Sequence, residues 1–264
     1  MPRFLLAFDF DHTMIDEDSD AFVFQQLAPE LHEKMKELYS TGEYVWTDLM
    51  DLLLGDLYQK GVHQHTLTQK LGEISFSHSM KKALELASSM GSEIVVISDA
   101  NTVYIDTITK AKGINNNISK VITNPGYFDT DGRLRVKRWT TEPAHECIRC
   151  SVNLCKGKEI LELIRSNGPF DRVIYLGDGQ NDYCPSTKLN RTDLVLARTG
   201  RSLDKMLKDD TTRSLVNANI MYWKTADDVL EIFKEIFDVN HSVPTLIHTE
   251  TDKKQCTDKS HSIF

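Results

Sequence analysis

Apolar runs of strand length recur along the chain, at Phe4 to Phe8, Ile94 to Ile97, Lys120 to Ile122, Val173 to Leu176 and Leu194 to Ala197. Between them, at Met80 to Met90, Thr102 to Lys112 and Lys158 to Arg165, the apolar positions take helical spacing. Strands alternating with helices predict an α/β fold, a doubly wound parallel sheet of Rossmann-like type with helices on both faces. A closing pair, Asn219 to Trp223 and then Ala226 to Phe237, continues the scheme, and Thr225 with Asp228 forms a capping-box start for the last helix.

The rhythm breaks between Asp16 and about Ser79, where only amphipathic runs such as Leu31 to Tyr39 and Trp46 to Tyr58 occur. This predicts a helical insertion directly after the first strand. It is either a lid over that strand's C-terminal end, excluding water, or a decoration packed elsewhere on the sheet. The expected organisation is a core of residues 1–15 and 80–240, a helical cap at 16–79, and a polar, aperiodic, flexible tail at 241–264. Tyr127 to Leu134 reads as a short hairpin turning at Asp131-Gly132.

With 264 residues, 40% hydrophobic and 27% charged, the chain can bury a large core. A net charge of -8 without a basic cluster argues against a nucleic-acid surface. No stretch reaches the roughly 20 apolar residues of a membrane span, and the N-terminus lacks a secretory pattern, so a cytoplasmic protein is expected. The five cysteines, Cys147, Cys150, Cys155, Cys184 and Cys256, then point to thiols or a metal rather than a disulfide framework. His145, Cys147, Cys150 and Cys155 surround a Cys-x-x-Cys core, either a small structural zinc site or a group of free thiols.

The chemistry lies at predicted strand ends. Asp9 and Asp11 follow the first strand at i and i+2, an arrangement that calls for a shared proton or a divalent cation. Ser98 and Asp99 follow the second, Lys156 and Lys158 open a helix, and Gly177-Asp178-Gly179-Gln180-Asn181-Asp182 follows Val173 to Leu176. The C-terminal strand ends of a doubly wound sheet line one crevice, so carboxylates, a hydroxyl and an ammonium converge there. Alternation points His12 away from the acidic pair, and it is given no role.

Asp9-Phe10-Asp11-His12-Thr13, Ser98, Lys156 and Gly177 to Asp182 resemble, in order, the four motifs of the haloacid dehalogenase superfamily. More narrowly, Asp16-Glu17-Asp18-Ser19-Asp20, Ile97 to Asn101, Thr123-Asn124-Pro125 and the segment Cys147 to Lys156 resemble the phosphoethanolamine/phosphocholine phosphatase family, which includes a pyridoxal 5'-phosphate phosphatase. The resemblance implies a phosphatase of that fold with Mg2+ as cofactor. Asp9 is the implied nucleophile and Asp11 the general acid and base. Mg2+ is implied to sit on the carboxylates of Asp9 and Asp178 and the backbone carbonyl of Asp11, with Asp182 steering one of its waters. Thr13, Ser98 and Lys156 would hold phosphate oxygens, Lys156 being preferred to Lys158 because it directly follows Asn153-Leu154-Cys155. Asp20 and Asp99 are implied substrate contacts, with support of the serine loop an equal reading of Asp99. Ser77-His78-Ser79-Met80 departs from the pattern, where relatives tend to have a Pro-Gly turn.

The expected partner is a small phosphate ester, most readily pyridoxal 5'-phosphate, with phosphoethanolamine or phosphocholine as the alternative. A catalytically silent phosphometabolite binder is a reading from another class. Phe22, Phe24, Tyr44 and Trp46 either wall the substrate or form the core of the lid.

Overall fold

The computed structural model describes residues 2–140 and 145–238; the tail expected at 241–264 lies outside them. In chain order the elements begin with β1 (Phe4–Phe8), then five helices, α1 (Ser19–Leu27), α2 (Pro29–Ser40), α3 (Trp46–Gln59), α4 (Gln64–Glu73) and α5 (His78–Ser89). Next come β2 (Glu93–Asn101), α6 (Thr102–Lys112), β3 (Lys120–Asn124), β4 (Gly126–Phe128), β5 (Leu134–Val136), α7 (Lys156–Asn167) and β6 (Arg172–Gly177). The chain closes with α8 (Tyr183–Ser186), β7 (Leu194–Arg198), α9 (Ser202–Lys208), α10 (Asp210–Arg213), β8 (Asn219–Trp223) and α11 (Ala226–Phe237).

Six strands form a parallel sheet in the order β3-β2-β1-β6-β7-β8. This is the doubly wound Rossmann order, with the chain reversing direction of winding at β1 and β6. All five residues of β1 are buried because helices cover both sheet faces, which is why the strand reads as an unbroken apolar run. Leu6 and Phe8 enter the cluster built by α5, α6, α11 and the helices after β1, whereas Leu5 and Ala7 enter the one built by α7 and α9.

The interval after β1 is helical, as expected. Its longest helix, α3, is held to the antiparallel β4–β5 hairpin: Asp51 takes a two-pronged ion pair from Arg135, with Nε–Oδ1 and Nη2–Oδ2 both 2.9 Å. Helix α5 starts at His78, N-capped by Ser77 where a Pro-Gly turn is absent. The predicted capping box of Thr225 and Asp228 is formed. Among the described residues no helix is long and apolar enough to cross a membrane.

Candidate active site

The C-terminal ends of β1 and β6 open into a cavity of about 540 Å³ lined by Asp9, Asp11, Asp20, Ser98, Asp99 and Asp178, among others. Asp9 extends the β1–β6 ladder, its N–H donating to Leu176 O at 2.9 Å. The chain then leaves the strand in a wide turn, closed by Ile15 N–H on Phe10 O at 3.0 Å, in which His12 adopts a left-handed φ of 55°. Strand alternation therefore stops at Asp9, and His12 lies on the cavity wall rather than away from it. Its backbone is fixed by Arg198, which donates to His12 O and pairs with Asp16.

Lys156, the first residue of α7, is 1% exposed and stands 2.8 Å from both Asp9 Oδ1 and Asp182 Oδ1. Asp182 is fully occupied by protein donors: Tyr175 OH reaches Oδ1 at 2.6 Å, and the N–H groups of Asp178 and Gly179 reach Oδ2 at 2.9 and 2.8 Å. This close approach demands Gly177, where a Cβ would lie 2.5 Å from Asp182 Cγ. Thr13 donates its hydroxyl hydrogen to Asp178 Oδ1 at 3.1 Å. The result is a buried acidic triad, with carboxylate oxygens of Asp9, Asp178 and Asp182 within 4.8 Å of one another.

Three carboxylates face one buried ammonium and one half-exposed guanidinium, Arg201 at 3.8 Å from Asp178, which leaves negative charge uncompensated. Burial, and then Asp182 and Asp178, push the Asp9 carboxyl well above the usual carboxylate range despite Lys156. Burial and Asp182 raise Asp178 as well, against His12, Thr13 and Lys156. For Lys156 burial alone would lower the pKa; Asp182, Asp9 and Asp99 more than offset it, so the ammonium stays charged. Asp11, which accepts from Ser19 N–H at 2.9 Å, is raised well above its ordinary value by burial and by Asp18 and Asp20.

Ser98 ends the regular part of β2, its Oγ accepting from Ala100 N–H at 3.1 Å. Asp99 accepts from Asn153 at 2.7 Å and Asn181 at 2.6 Å, so its carboxylate ties three loops together at the cavity wall. Asp20 is buried, accepts from Trp46 Nε1–H at 2.9 Å, and leaves Oδ1 without a partner. Burial and Asp18 push its pKa up to about 7. Lys158 is exposed and lines a different cavity, so Lys156 is the lysine brought to the carboxylates.

Some sequence expectations divide. Tyr44 and Trp46 line the cavity, whereas Phe24 is buried in the core and Phe22 packs against it. Tyr39 joins the wall instead, its ring 5.0 Å from that of Trp46 and edge-on. The sulfur-rich group also differs: Cys147, Cys150, Cys155 and Cys184 come together, and His145 is turned to Ser151 O and to Cys147 N–H. The sequence alone assigns no role to Asn153, Asn181, Tyr175 or Arg149. A tyrosine inside an apolar, buried strand run is the one of these with a readable signal, since a buried phenol requires a partner.

The family model described as Putative Phosphatase matches residues 4–237. The chain belongs to this phosphatase family. Pyridoxal phosphate phosphatase PHOSPHO2 of Bos taurus is 34% identical, over 78% of this chain and 86% of its own. Inorganic pyrophosphatase 2 of Arabidopsis thaliana is 33% identical, over 94% of this chain and 88% of its own. A HAD-family hydrolase of Salmonella enterica superposes with a TM-score of 0.60 at 15% identity, over 88% of this chain and 71% of that one, and shows the shared fold. The chain is a phosphatase with the fold of a haloacid dehalogenase-type hydrolase, as its motifs led one to expect.

Proposed function

We propose that this phosphatase is a Mg2+-dependent phosphomonoesterase that works through an aspartyl-phosphate on Asp9, with pyridoxal 5'-phosphate as its substrate. The observation that carries the reading is the buried set of Asp9, Asp178 and Asp182 around Lys156 on the cavity floor. Hard carboxylate oxygens with unmet negative charge fit Mg2+. Asp182 has given its oxygens to protein donors, so Asp9 and Asp178, with the Asp11 backbone carbonyl, would hold the ion, and Asp182 fixes their loop and Lys156. When bound, Mg2+ offsets the repulsion between a phosphate dianion and an attacking carboxylate.

Phe10 N–H and Lys156 Nζ both engage Asp9 Oδ1, which favours Oδ2 as the attacking oxygen. Its bond to phosphorus forms as the ester P–O bond breaks, and the departing oxygen takes a proton from Asp11, whose carboxyl is held above its ordinary range by burial, Asp18 and Asp20. Water then attacks the same phosphorus, gives its proton to Asp11 and releases phosphate with Asp9 regenerated. Thr13, Ser98 and Lys156 orient the phosphoryl oxygens, and the buried ammonium stabilises the charge that develops on them.

Residues 16–79 act as the cap in this reading, and its aromatic wall of Tyr39, Tyr44 and Trp46 accommodates a pyridoxal ring. The relative named a pyridoxal phosphate phosphatase supports this choice. A second reading, phosphoethanolamine or phosphocholine, is favoured by Asp18, Asp20 and Asp99 lining the same cavity, since carboxylates beside aromatics suit a cationic leaving group. Phosphate release from pyridoxal 5'-phosphate, phosphoethanolamine, phosphocholine and pyrophosphate decides between them. Turnover that is highest on pyridoxal 5'-phosphate, lost with chelator and restored by Mg2+ is expected; activity that persists in Asp9→Asn would sink the mechanism.

A further inference from the structure

The described residues hold a second cluster of metal-ligating side chains, chemically unlike the first. The sulfur atoms of Cys147, Cys150, Cys155 and Cys184 all lie within 4.8 Å of one another, with Cys147–Cys184 at 3.6 Å and Cys155–Cys184 at 3.9 Å. These separations are far longer than a disulfide, and the four cysteines are free thiols. They match a tetrahedron instead: four sulfurs at about 2.3 Å from a Zn2+ ion stand about 3.8 Å apart.

We propose that Cys147, Cys150, Cys155 and Cys184 hold a structural Zn2+ ion that clamps the wall of the active site. Four soft thiolates select zinc over the hard cation suited to Asp9 and Asp178, and a full set of four leaves no open position for catalysis. The cluster is built from three separate pieces of chain. Cys147 and Cys150 sit in a loop without helix or strand, Cys155 N-caps α7, and Cys184 lies in α8. Gly157 makes the junction possible, because a Cβ there would lie 2.6 Å from Cys184 Sγ.

The loop needs such a fastening. Ile148, between the two loop cysteines, is 97% exposed, so no hydrophobic contact of that side chain anchors it. Among the described residues, the hydrogen bonds that hold it include His145 to Ser151 O at 2.7 Å and Thr140 N–H to Asn153 O at 2.8 Å. A tetrathiolate zinc carries two net negative charges; the cavity beside Cys147 and Cys155 is lined by Arg149, Lys158 and Lys188 together with Glu146 and the Arg165–Glu162 ion pair, three cations against one unpaired carboxylate among the described residues. The ion would join three parts of the catalytic site: the loop bearing Arg149 and Asn153, the helix that opens with Lys156, and the segment following Asp182.

The test is the metal content of the full chain, purified reduced and without chelator, by elemental mass spectrometry, together with visible spectroscopy of the Co2+-loaded protein. One zinc per chain and the intense absorption of a tetrahedral tetrathiolate cobalt centre are expected. Cys147→Ser and Cys150→Ser should lose the zinc and lower the thermal midpoint, while His145→Ala and Cys256→Ser keep it. Cys150→His, which restores a ligand, should retain zinc and fold, separating ligand loss from general damage. Zinc-free folded wild type that takes up no micromolar Zn2+, an intact mass lower by two hydrogens, or full zinc in both serine variants would overturn the proposal.

Discussion

Two ion-pair networks in this molecule have nearly the same geometry and opposite character. At the hairpin, Asp51 receives Arg135 at 2.9 Å, Arg133 at 3.5 Å and the Val136 N–H at 2.9 Å. At the cavity floor, Lys156 stands 2.8 Å from Asp9 and from Asp182. The hairpin sets two guanidinium groups on one carboxylate, whereas the cavity sets the Lys156 ammonium, and the half-exposed Arg201 at 3.8 Å from Asp178, among three. Asp51 accordingly stays below the ordinary carboxylate range, because Arg135, the Val136 N–H and Arg133 outweigh its burial, while Asp9 and Asp178 rise above it. Distance alone does not separate a structural ion pair from a functional one; the charge left unmet does.

Substitutions should break the contrast in opposite ways. The largest effect is expected from Asp9→Asn, which removes the proposed nucleophile and one uncompensated carboxylate together. Turnover should fall by about 10³-fold or more with thermal stability unchanged or raised. Lys156→Met should lower kcat by about 10²-fold and, by stranding buried carboxylates, destabilise the fold by about 3–5 kcal/mol in urea titrations. If Lys156→Met were as stable as wild type, the ammonium would not be the group that holds the carboxylates together.

Asp20 sharpens the comparison through pH. Its carboxyl is raised from 3.8 to about 7, so between those values the folded protein binds a proton that the unfolded chain has lost. Stability therefore falls as pH rises through that window and levels off above it. Asp20→Asn should remove the part of the slope that Asp20 contributes beside the other raised carboxyls, exceeding wild type by up to about 4 kcal/mol at pH 8 and converging with it near pH 4. Parallel stability curves for the two proteins would refute the assignment. Asp51→Asn should have the smallest effect, a loss of about 1–3 kcal/mol at neutral pH with kcat within a few-fold of wild type. Because Asp51 is depressed, its contribution is present above about pH 4 and fades on further acidification, the reverse of Asp20.

Much of this is legible in the sequence. Parallel strands buried on both faces announce themselves as short apolar runs, and the acidic residues that follow Phe8 and Leu176 stand out because such strands otherwise end in small or capping residues. What escaped was set by contacts between distant segments. Cys184 lies far from Cys155 in sequence and replaces the nearer His145 in the cluster. Tyr39 reaches the cavity only through the packing of α2 on α3, and His12 is redirected by a left-handed turn that strand periodicity does not describe. Helix α7 begins at Lys156, ahead of its apolar face, because Cys155 caps it, and this places the ammonium at the helix start.

The central position of β1 also has a consequence for the order of assembly. Phe4 pairs with Arg172, so the earliest strand of this sheet is completed on that edge only after a further 168 residues have been synthesised. At about 5–20 residues per second this is a wait on the order of 10–30 s, during which an apolar strand has one flank without its neighbour. The sheet is therefore slow to close by its connectivity, and on the ribosome the nascent chain is in most need of chaperone cover before residue 172 emerges.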